Sequence, residues 1–308
     1  MNSQQIASKV ALFKQIYIPY PPHTAFHEQC EYLVQLGRAT RGEPQNGMRA
    51  LAESGSGKTA AVKAFIRQFL RKTPRTADCV PIVFITLDQT ATSKQLMTSI
   101  LEHFGDRYSS RGTEQSLKMR VKACFERFHT DLLFIDEVQH LNYRRSERSD
   151  VTDGLKRLLD DGVVPIVFLG TEEANDLFTR NVQLSSRLIS PCDFKTLDLR
   201  LPEDRALLAG YVALIDQAMV EKGIFQDLSD LDDPSVLVCL HAISKGVIGR
   251  VSRLLLIALQ IALKRGATRI ERYDLALAVD QWALPSGLTA TNPFLRDPSD
   301  LSPRKGAA

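Results

Sequence analysis

The stretch Ala52-Glu53-Ser54-Gly55-Ser56-Gly57-Lys58-Thr59 decides the fold. A short apolar run, Met48 to Ala52, leads into it, and an amphipathic stretch, residues 58–72, leads out. A strand and a helix are thus joined by a loop whose Gly55 and Gly57 admit backbone conformations that a Cβ would forbid. Such a loop turns several backbone N–H groups toward one point, and Lys58 and Thr59 add an ammonium and a hydroxyl at the helix N-terminus. Triphosphate oxygens and a magnesium ion need those groups. Residues Glu53, Ser54, Gly55, Ser56, Gly57, Lys58, Thr59 and Ala60 are therefore expected to hold ATP, with Lys58 on the β- and γ-phosphates and Thr59 on Mg2+. Ala52 stands where the usual pattern begins with glycine.

Three continuous runs rich in β-branched residues follow: Val80 to Leu87, Leu132 to Ile135 and Val163 to Leu169. Continuous rather than alternating apolar character belongs to strands buried on both faces. Amphipathic stretches at 92–104, 113–129 and 150–161 separate them, and a fifth strand is expected around Phe194 to Leu199. The alternation predicts an α/β fold, a P-loop parallel sheet flanked by helices on both faces. From Pro202 the character changes to helical periodicity without a strand-like run, at 203–220, 234–244, 248–264 and 273–282. The expected organisation is an N-terminal helical segment (1–45), a nucleotide-binding core (46–201), a small all-helical lid (202–283) and a flexible Pro-containing tail (284–308).

With 44% apolar residues among 308, the chain can build a real core, and a net charge of +3 neither demands nor excludes nucleic acid. Five cysteines without a CxxC pair fit free thiols in a reducing compartment rather than disulfides or a zinc site. The N-terminus lacks a charged-then-apolar leader pattern, and no apolar run approaches the ~18 residues that span a bilayer. A cytoplasmic protein without a membrane segment is expected.

A phosphate loop alone does not distinguish binding from hydrolysis. Leu132-Leu-Phe-Ile-Asp-Glu137 ends a strand in two carboxylates. Alternation of side chains suits Asp136 to the Mg2+ shell and Glu137 to polarising the attacking water. Thr171, ending Val167-Phe-Leu-Gly-Thr171, either reaches the γ-phosphate or lytic water or caps the helix that follows. Arg187, in Gln183-Leu-Ser-Ser-Arg-Leu188, is placed to project into a neighbouring subunit's site, with Arg180 competing for that role.

These residues resemble an AAA+ ATPase: the loop AESGSGKT, the acidic strand LLFIDE, LGT, QLSSRL and Gly246-Val-Ile-Gly-Arg250 appear in that family's order. The resemblance implies that Arg250 touches the γ-phosphate from the lid; otherwise it is a solvated helix arginine. More narrowly, the chain resembles the TniB/TnsC (MuB-like) family of transposon target-selection ATPases, through Ile18-Pro-Tyr-Pro-Pro-His23, ESGSGKT, IDEVQHL, Pro165 to Thr171, QLSSRL, GVIGRVSRLL and Asn292-Pro-Phe294. It covers residues 15–295. It implies an ATP-dependent homo-oligomer, ring or helical filament, on double-stranded DNA. It further implies recruitment of a transposase, contact with a TniQ-like target selector, and hydrolysis that dismantles the assembly. Two alternatives share the ATPase motifs: a helicase- or clamp-loader-type ATPase, and a nucleotide-gated DNA scaffold with little hydrolysis.

Between the second and third apolar runs lie Lys94, Arg107, Arg111, Lys118, Arg120 and Lys122, with Ser109-Ser-Arg-Gly-Thr113 as a basic, Gly-containing loop. Such side chains contact phosphate oxygens without reading sequence. In the resembled family the corresponding region lines the filament's bore, which implicates Arg111 and Thr113, then Lys94 and Ser99. A solvated helix face is the other reading, because acidic residues are interleaved. Arg144 and Arg145, in Tyr143-Arg-Arg-Ser-Glu-Arg148, face either DNA or a partner subunit. In the tail, Phe294 is expected to be exposed, as part of a docking peptide or of a disordered end.

Overall fold

The computed structural model describes residues 1–88, 91–141 and 148–295. The chain divides into two compact units. One comprises Pro21–Ser54 and Lys58–Phe194; the other comprises Met1–Tyr20, the loop tip Gly55–Gly57 and the chain from Lys195 onward. The segment expected as one piece over 1–45 is thus shared out. Helix α1 (Ser3–Lys14) belongs with the C-terminal part, and α2 (Pro21–Ala39) belongs with the sheet.

The sheet unit contains β1 (Gly47–Leu51), β2 (Ile82–Thr86), β3 (Leu132–Asp136) and β4 (Ile166–Gly170), all parallel, in the order β1-β4-β3-β2. The helices between them are α3 (Lys58–Lys72), α4 (Ser93–His103), α5 (Glu114–Arg127) and α6 (Arg148–Asp160), with α7 (Asn175–Arg180) and α8 (Val182–Ser185) after β4. The pleat sorts the strand residues onto two faces. Leu133, Ile135, Ile166 and Phe168 join α4, α5 and α6 in one apolar cluster, while Leu132, Phe134, Val167 and Leu169 join α2 and α3 in another. Burial on both faces explains why these strands read as unbroken apolar runs, each fully buried Phe or Leu contributing roughly 1.5–3 kcal/mol.

The expected fifth strand at 194–199 does not form. Instead the chain just before it lies along β1: Ile189 N–H donates to Gly47 O (2.8 Å), Cys192 N–H to Arg49 O (2.9 Å) and Phe194 N–H to Leu51 O (3.0 Å). Pro191 has no N–H to offer and interrupts the ladder, so this edge is bonded without becoming a regular strand.

The helical unit is built from α1, α9 (Pro202–Glu221), α10 (Pro234–Ser244), α11 (Ile248–Lys264) and α12 (Arg272–Ala278), which runs into a π-turn at Val279–Ala283. Asp233 starts α10 by accepting from Ser235 N–H and Val236 N–H, with Pro234 at the first helical position. Lys245 ends α10 in the left-handed conformation, and Gly246 follows at φ +77°. A Cβ on Gly246 would lie 2.1 Å from Leu197 O, so no other residue fits there.

The tail departs from expectation as far as Leu295. Phe294 is buried, its ring lies under the Arg272 guanidinium, and its carbonyl accepts from Arg272 Nε. Asn292 fastens the segment by donating from Nδ2 to Ala276 O and Asp280 Oδ1, both at 2.8 Å. The NPF segment is therefore part of the unit's own core; residues 296–308 lie outside the described residues. All five cysteines are free thiols, and among the described residues no single helix is long and apolar enough to cross a membrane.

Candidate nucleotide site and nucleic-acid surface

The loop after β1 uses glycine where the backbone demands it. Gly55 and Gly57 have φ of +82° and +94°, whereas Ala52 is not among the residues with positive φ. Its methyl is buried in the α2/α3 cluster. Alanine there fills core space and removes no needed freedom. The entry to the loop is held twice over: Ala52 N–H donates to Gly170 O at 3.1 Å, and Leu51 N–H donates to Asp193 Oδ1 at 2.7 Å.

Lys58 opens α3 with a buried side chain whose Nζ donates to Ala52 O (2.7 Å) and Glu53 O (3.1 Å). Burial lowers its pKa, and the nearby carboxylates of Asp136 and Glu137 oppose that shift. Asp136, at the end of β3, is buried too; its Oδ2 accepts from Thr59 Oγ1 at 3.1 Å and its Oδ1 from Glu137 N–H at 2.9 Å. Burial raises its pKa against those two hydrogen bonds. A buried carboxylate touching a hydroxyl is a pair of hard oxygen donors, and magnesium is held by one or two carboxylates together with water and phosphate oxygens. The donor set fits Mg2+. Among the described residues no group of three or more His, Cys, Asp or Glu is placed to hold a metal ion.

Glu137 adopts the left-handed conformation, φ 61° and ψ 39°. The two carboxylates therefore diverge through a strained bend beyond the strand end, and not through the pleat as expected. A short turn, Val138–His140, follows, and Gln139 Nε2 donates to Glu137 Oε2. Gln139 Oε1 accepts Thr171 N–H at 3.0 Å. Thr171 stands before the next turn but makes no side-chain capping bond, and its buried Oγ1 has no hydrogen-bond partner among the described residues. The capping alternative for this hydroxyl is therefore not realised.

Both candidate trans-acting arginines are paired within the chain: Arg187 Nε with Asp160 Oδ1 and Arg180 with Asp176 Oδ2, each at 2.6 Å. Arg250 lies on α11 of the helical unit, half-buried, with one guanidinium nitrogen 3.3 Å from Ser244 O. In the same unit Gly249 faces the loop tip so closely that a Cβ would fall 1.9 Å from Gly55 O.

Five basic residues of α4, α5 and their connection separate into two groups. Lys118 pairs with Glu114, and Arg120 pairs with Asp106 while donating to Tyr108 O and Arg111 O, so both serve the fold. Lys94, Arg107 and Arg111 are exposed, and the Arg111 guanidinium sits 5.0 Å above the exposed Tyr108 ring. Thr113 caps α5 by accepting Ser116 N–H, and Ser93 Oγ donates to Glu114 at 2.6 Å. That bond puts Lys94 and Thr113 at one end of the helix pair. Ser99, half-buried, lies more than a turn further along α4. Arg144 and Arg145 lie outside the described residues.

The family model described as "Bacterial TniB protein" matches residues 11–193, more than half of the chain. The chain belongs to the TniB family. No curated protein matches this TniB-family chain. Solved structures resemble it as a fold. The Orc1 protein of Aeropyrum pernix, solved in complex with DNA, aligns with TM-score 0.64 and 18% identity, covering 88% of this chain and 69% of that one. Cdc6p from Pyrobaculum aerophilum gives TM-score 0.60 at 14% identity over 88% and 70%. Domain III of the Thermotoga maritima replication initiation protein DnaA gives TM-score 0.53 at 14% identity over 88% and 96%. The fold is that of P-loop AAA+ proteins, a parallel sheet flanked by helices with a helical unit after it.

Three residues at the site were not singled out from sequence: Gln139, Asp193 and Asp160. Gln139 carried a readable signal, an amide two residues beyond an acidic pair that ends a strand. Asp193 and Asp160 carried none, because the partners they hold are far away in the chain.

Proposed function

We propose that this TniB-family protein is a cytoplasmic, ATP-dependent DNA-binding ATPase of transposition. It assembles as a homo-oligomer, ring or filament, on double-stranded target DNA without reading base sequence. It hands that target to a transposase and answers to a TniQ-like selector. The observation that carries the reading is the convergence of Lys58, Thr59, Asp136, Glu137 and Thr171 at the carboxyl ends of β1, β3 and β4, where α/β sheets take their ligands. ATP supplies the cleavable phosphoanhydride, and Mg2+ supplies positive charge on its oxygens.

The chain's own residues do the rest. The N–H groups of residues 53–60 and the Lys58 ammonium bind phosphate, Lys58 exchanging its two loop carbonyls for phosphate oxygens. Thr59 and Asp136 hold the metal, and Glu137 accepts the proton of the attacking water. The Thr171 hydroxyl, buried without a partner among the described residues, orients that water or the γ-phosphate. Arg250 contributes from the helical unit, and Arg187, released from Asp160, acts in a neighbouring subunit. Arg111 with Thr113, Lys94 and Ser99 contact DNA phosphates, and Arg144 and Arg145 add to them. A DNA complex of the structurally similar Aeropyrum pernix Orc1 protein supports DNA as the partner.

The test is Glu137→Gln. This variant is expected to bind ATP, lose at least about 100-fold in hydrolysis, and accumulate on duplex DNA in an ATP-dependent assembly visible by electron microscopy. DNA binding that is the same with and without ATP would overturn the reading.

A further inference from the structure

We propose that Gln139 is a positioning residue of the ATPase site: its amide ties the Glu137 carboxylate to the terminus of β4, fixing where the proton acceptor points. The inference rests on the ATPase reading above and adds to it a residue to which no role has been given.

Three independent observations carry it. The first is chemical. Thr171 N–H needs an acceptor and the Glu137 carboxylate needs a donor, and Gln139 supplies both, Oε1 to Thr171 N–H at 3.0 Å and Nε2 to Glu137 Oε2. Among side chains only a carboxamide presents an acceptor and a two-proton donor on one rigid plane. The acceptor duty to Thr171 fixes which way the amide faces, and so fixes an N–H toward Glu137.

The second is steric. Gly170 is not at positive φ, so its backbone does not require glycine. A Cβ there would lie 2.8 Å from Gln139 Oε1 and 2.9 Å from Val138 Cγ2. The glycine of the Leu169-Gly170-Thr171 motif is the space into which the Gln139 amide fits.

The third is mechanical. The turn that carries Gln139 is fastened on both sides. His140 N–H donates to Glu137 O (2.8 Å), Ala91 N–H to His140 O (3.0 Å), and Leu141 N–H to Val138 O (3.1 Å). His140 Nδ1 lies 3.1 Å from Leu87 O. A left-handed Glu137 would otherwise leave its carboxylate free to rotate, and an anchored amide two residues on restricts it at little further entropic cost. The clamp also brings Glu137 and the buried Thr171 hydroxyl under one residue, so the proton acceptor and the orienting group move together.

Gln139→Leu removes both bonds, whereas Gln139→Glu keeps the acceptor for Thr171 N–H and sets a carboxylate against Glu137. With duplex DNA present, Gln139→Leu is expected to lower kcat about 10–100-fold with KM for ATP within about threefold, the signature of misplacement rather than lost binding. Gln139→Glu should lower kcat as well. In single-turnover measurements on a Glu137→Gln background, Gln139→Leu should cost nothing more, because it acts through Glu137. A readout without nucleotide accompanies these. Amide hydrogen exchange at Thr171 should accelerate in Gln139→Leu and stay slow in Gln139→Glu, with both variants keeping the wild-type circular dichroism spectrum.

Unchanged or increased kcat in Gln139→Leu, or unchanged Thr171 exchange, would overturn the clamp while leaving the ATPase reading intact. A wild-type protein that does not hydrolyse ATP, or a Glu137→Gln variant as active as wild type, would instead sink the reading on which the clamp rests.

Discussion

His23 gives the sharpest quantitative test of how the sheet unit is held together. It sits near the start of α2 with its ring 5.1 Å from that of Phe194, and it is only 5% exposed. Burial, and then the neighbouring His27, push its pKa down from 6.5 to about 4. The sign follows from linkage. Above pH 6.5 the imidazole is neutral in both states and contributes no pH dependence. As pH falls through 6.5 the unfolded chain binds a proton that the folded chain refuses, so stability is lost until the folded pKa is reached, near 4. Complete titration over that interval is worth about 3 kcal/mol, and ~2 kcal/mol of it is already gone at pH 5. Replacing His23 with Leu, close in volume and without a proton site, removes this component. Urea unfolding of wild type and His23→Leu, followed by circular dichroism at several pH values from 7.5 to 4.5, should show the variant gaining on wild type as the solution is acidified. Other titrating groups, His103 among them, cancel in the difference. A stability difference that stays constant over this range would refute the buried, neutral imidazole.

Lys58→Ala should keep the fold and lose at least about 100-fold in ATP affinity by calorimetry, because nothing else in the loop supplies the ammonium. Arg111→Ala should weaken duplex binding alike for unrelated sequences and reduce the slope of log K against log salt by about 1, read by fluorescence anisotropy. Asp160→Asn breaks the ion pair that holds Arg187; if that arginine acts across subunits, the variant should reach half-maximal ATPase at a lower protein concentration, whereas Arg187→Ala should remove ATPase without removing ATP binding. Gly246→Ala forces a Cβ against Leu197 O at a positive-φ position. It should cost more than about 2 kcal/mol of stability in the helical unit, measured through Trp282 fluorescence in urea.

The parts of the fold that were readable are those in which one element states its own environment. The runs at 132–136 and 166–170 are apolar on both faces because both faces are covered, and α10 is announced by Asp233 and Pro234. The parts that misread depend on partners distant in sequence. The segment before Phe194 borrows the edge of β1 through backbone bonds that composition does not encode, and Pro191 stops it from becoming a strand. Phe294 looked exposed amid prolines and polar residues, yet Arg272 and the Asn292 clasp, about 20 residues earlier and two residues before it, supply the surroundings that bury it. An aromatic in a polar segment reports only that the segment is polar.

The same division runs through the candidate site, and it explains why residue type was easier to read than arrangement. In the proposed ATPase site Lys58, Thr59, Asp136 and Glu137 are needed as chemical species, so each leaves its identity in the sequence. What couples them is geometry: the left-handed bend at Glu137, the space at Gly170, and an amide whose two ends meet different strands. A glycine in a strand-ending motif is ordinarily explained by backbone conformation, and here that explanation fails because φ at Gly170 is not positive. The requirement comes instead from side chains across the sheet terminus, Gln139 and Val138. The identities at 139 and 170 then constrain each other: Gly170→Ala should reproduce the defect of Gln139→Leu by displacing the amide, and on a Gln139→Ala background, where only Val138 and Ala174 still crowd the added methyl, it should cost less. Additive effects of the two substitutions on kcat would separate the glycine from the glutamine and dissolve the argument for a shared clamp.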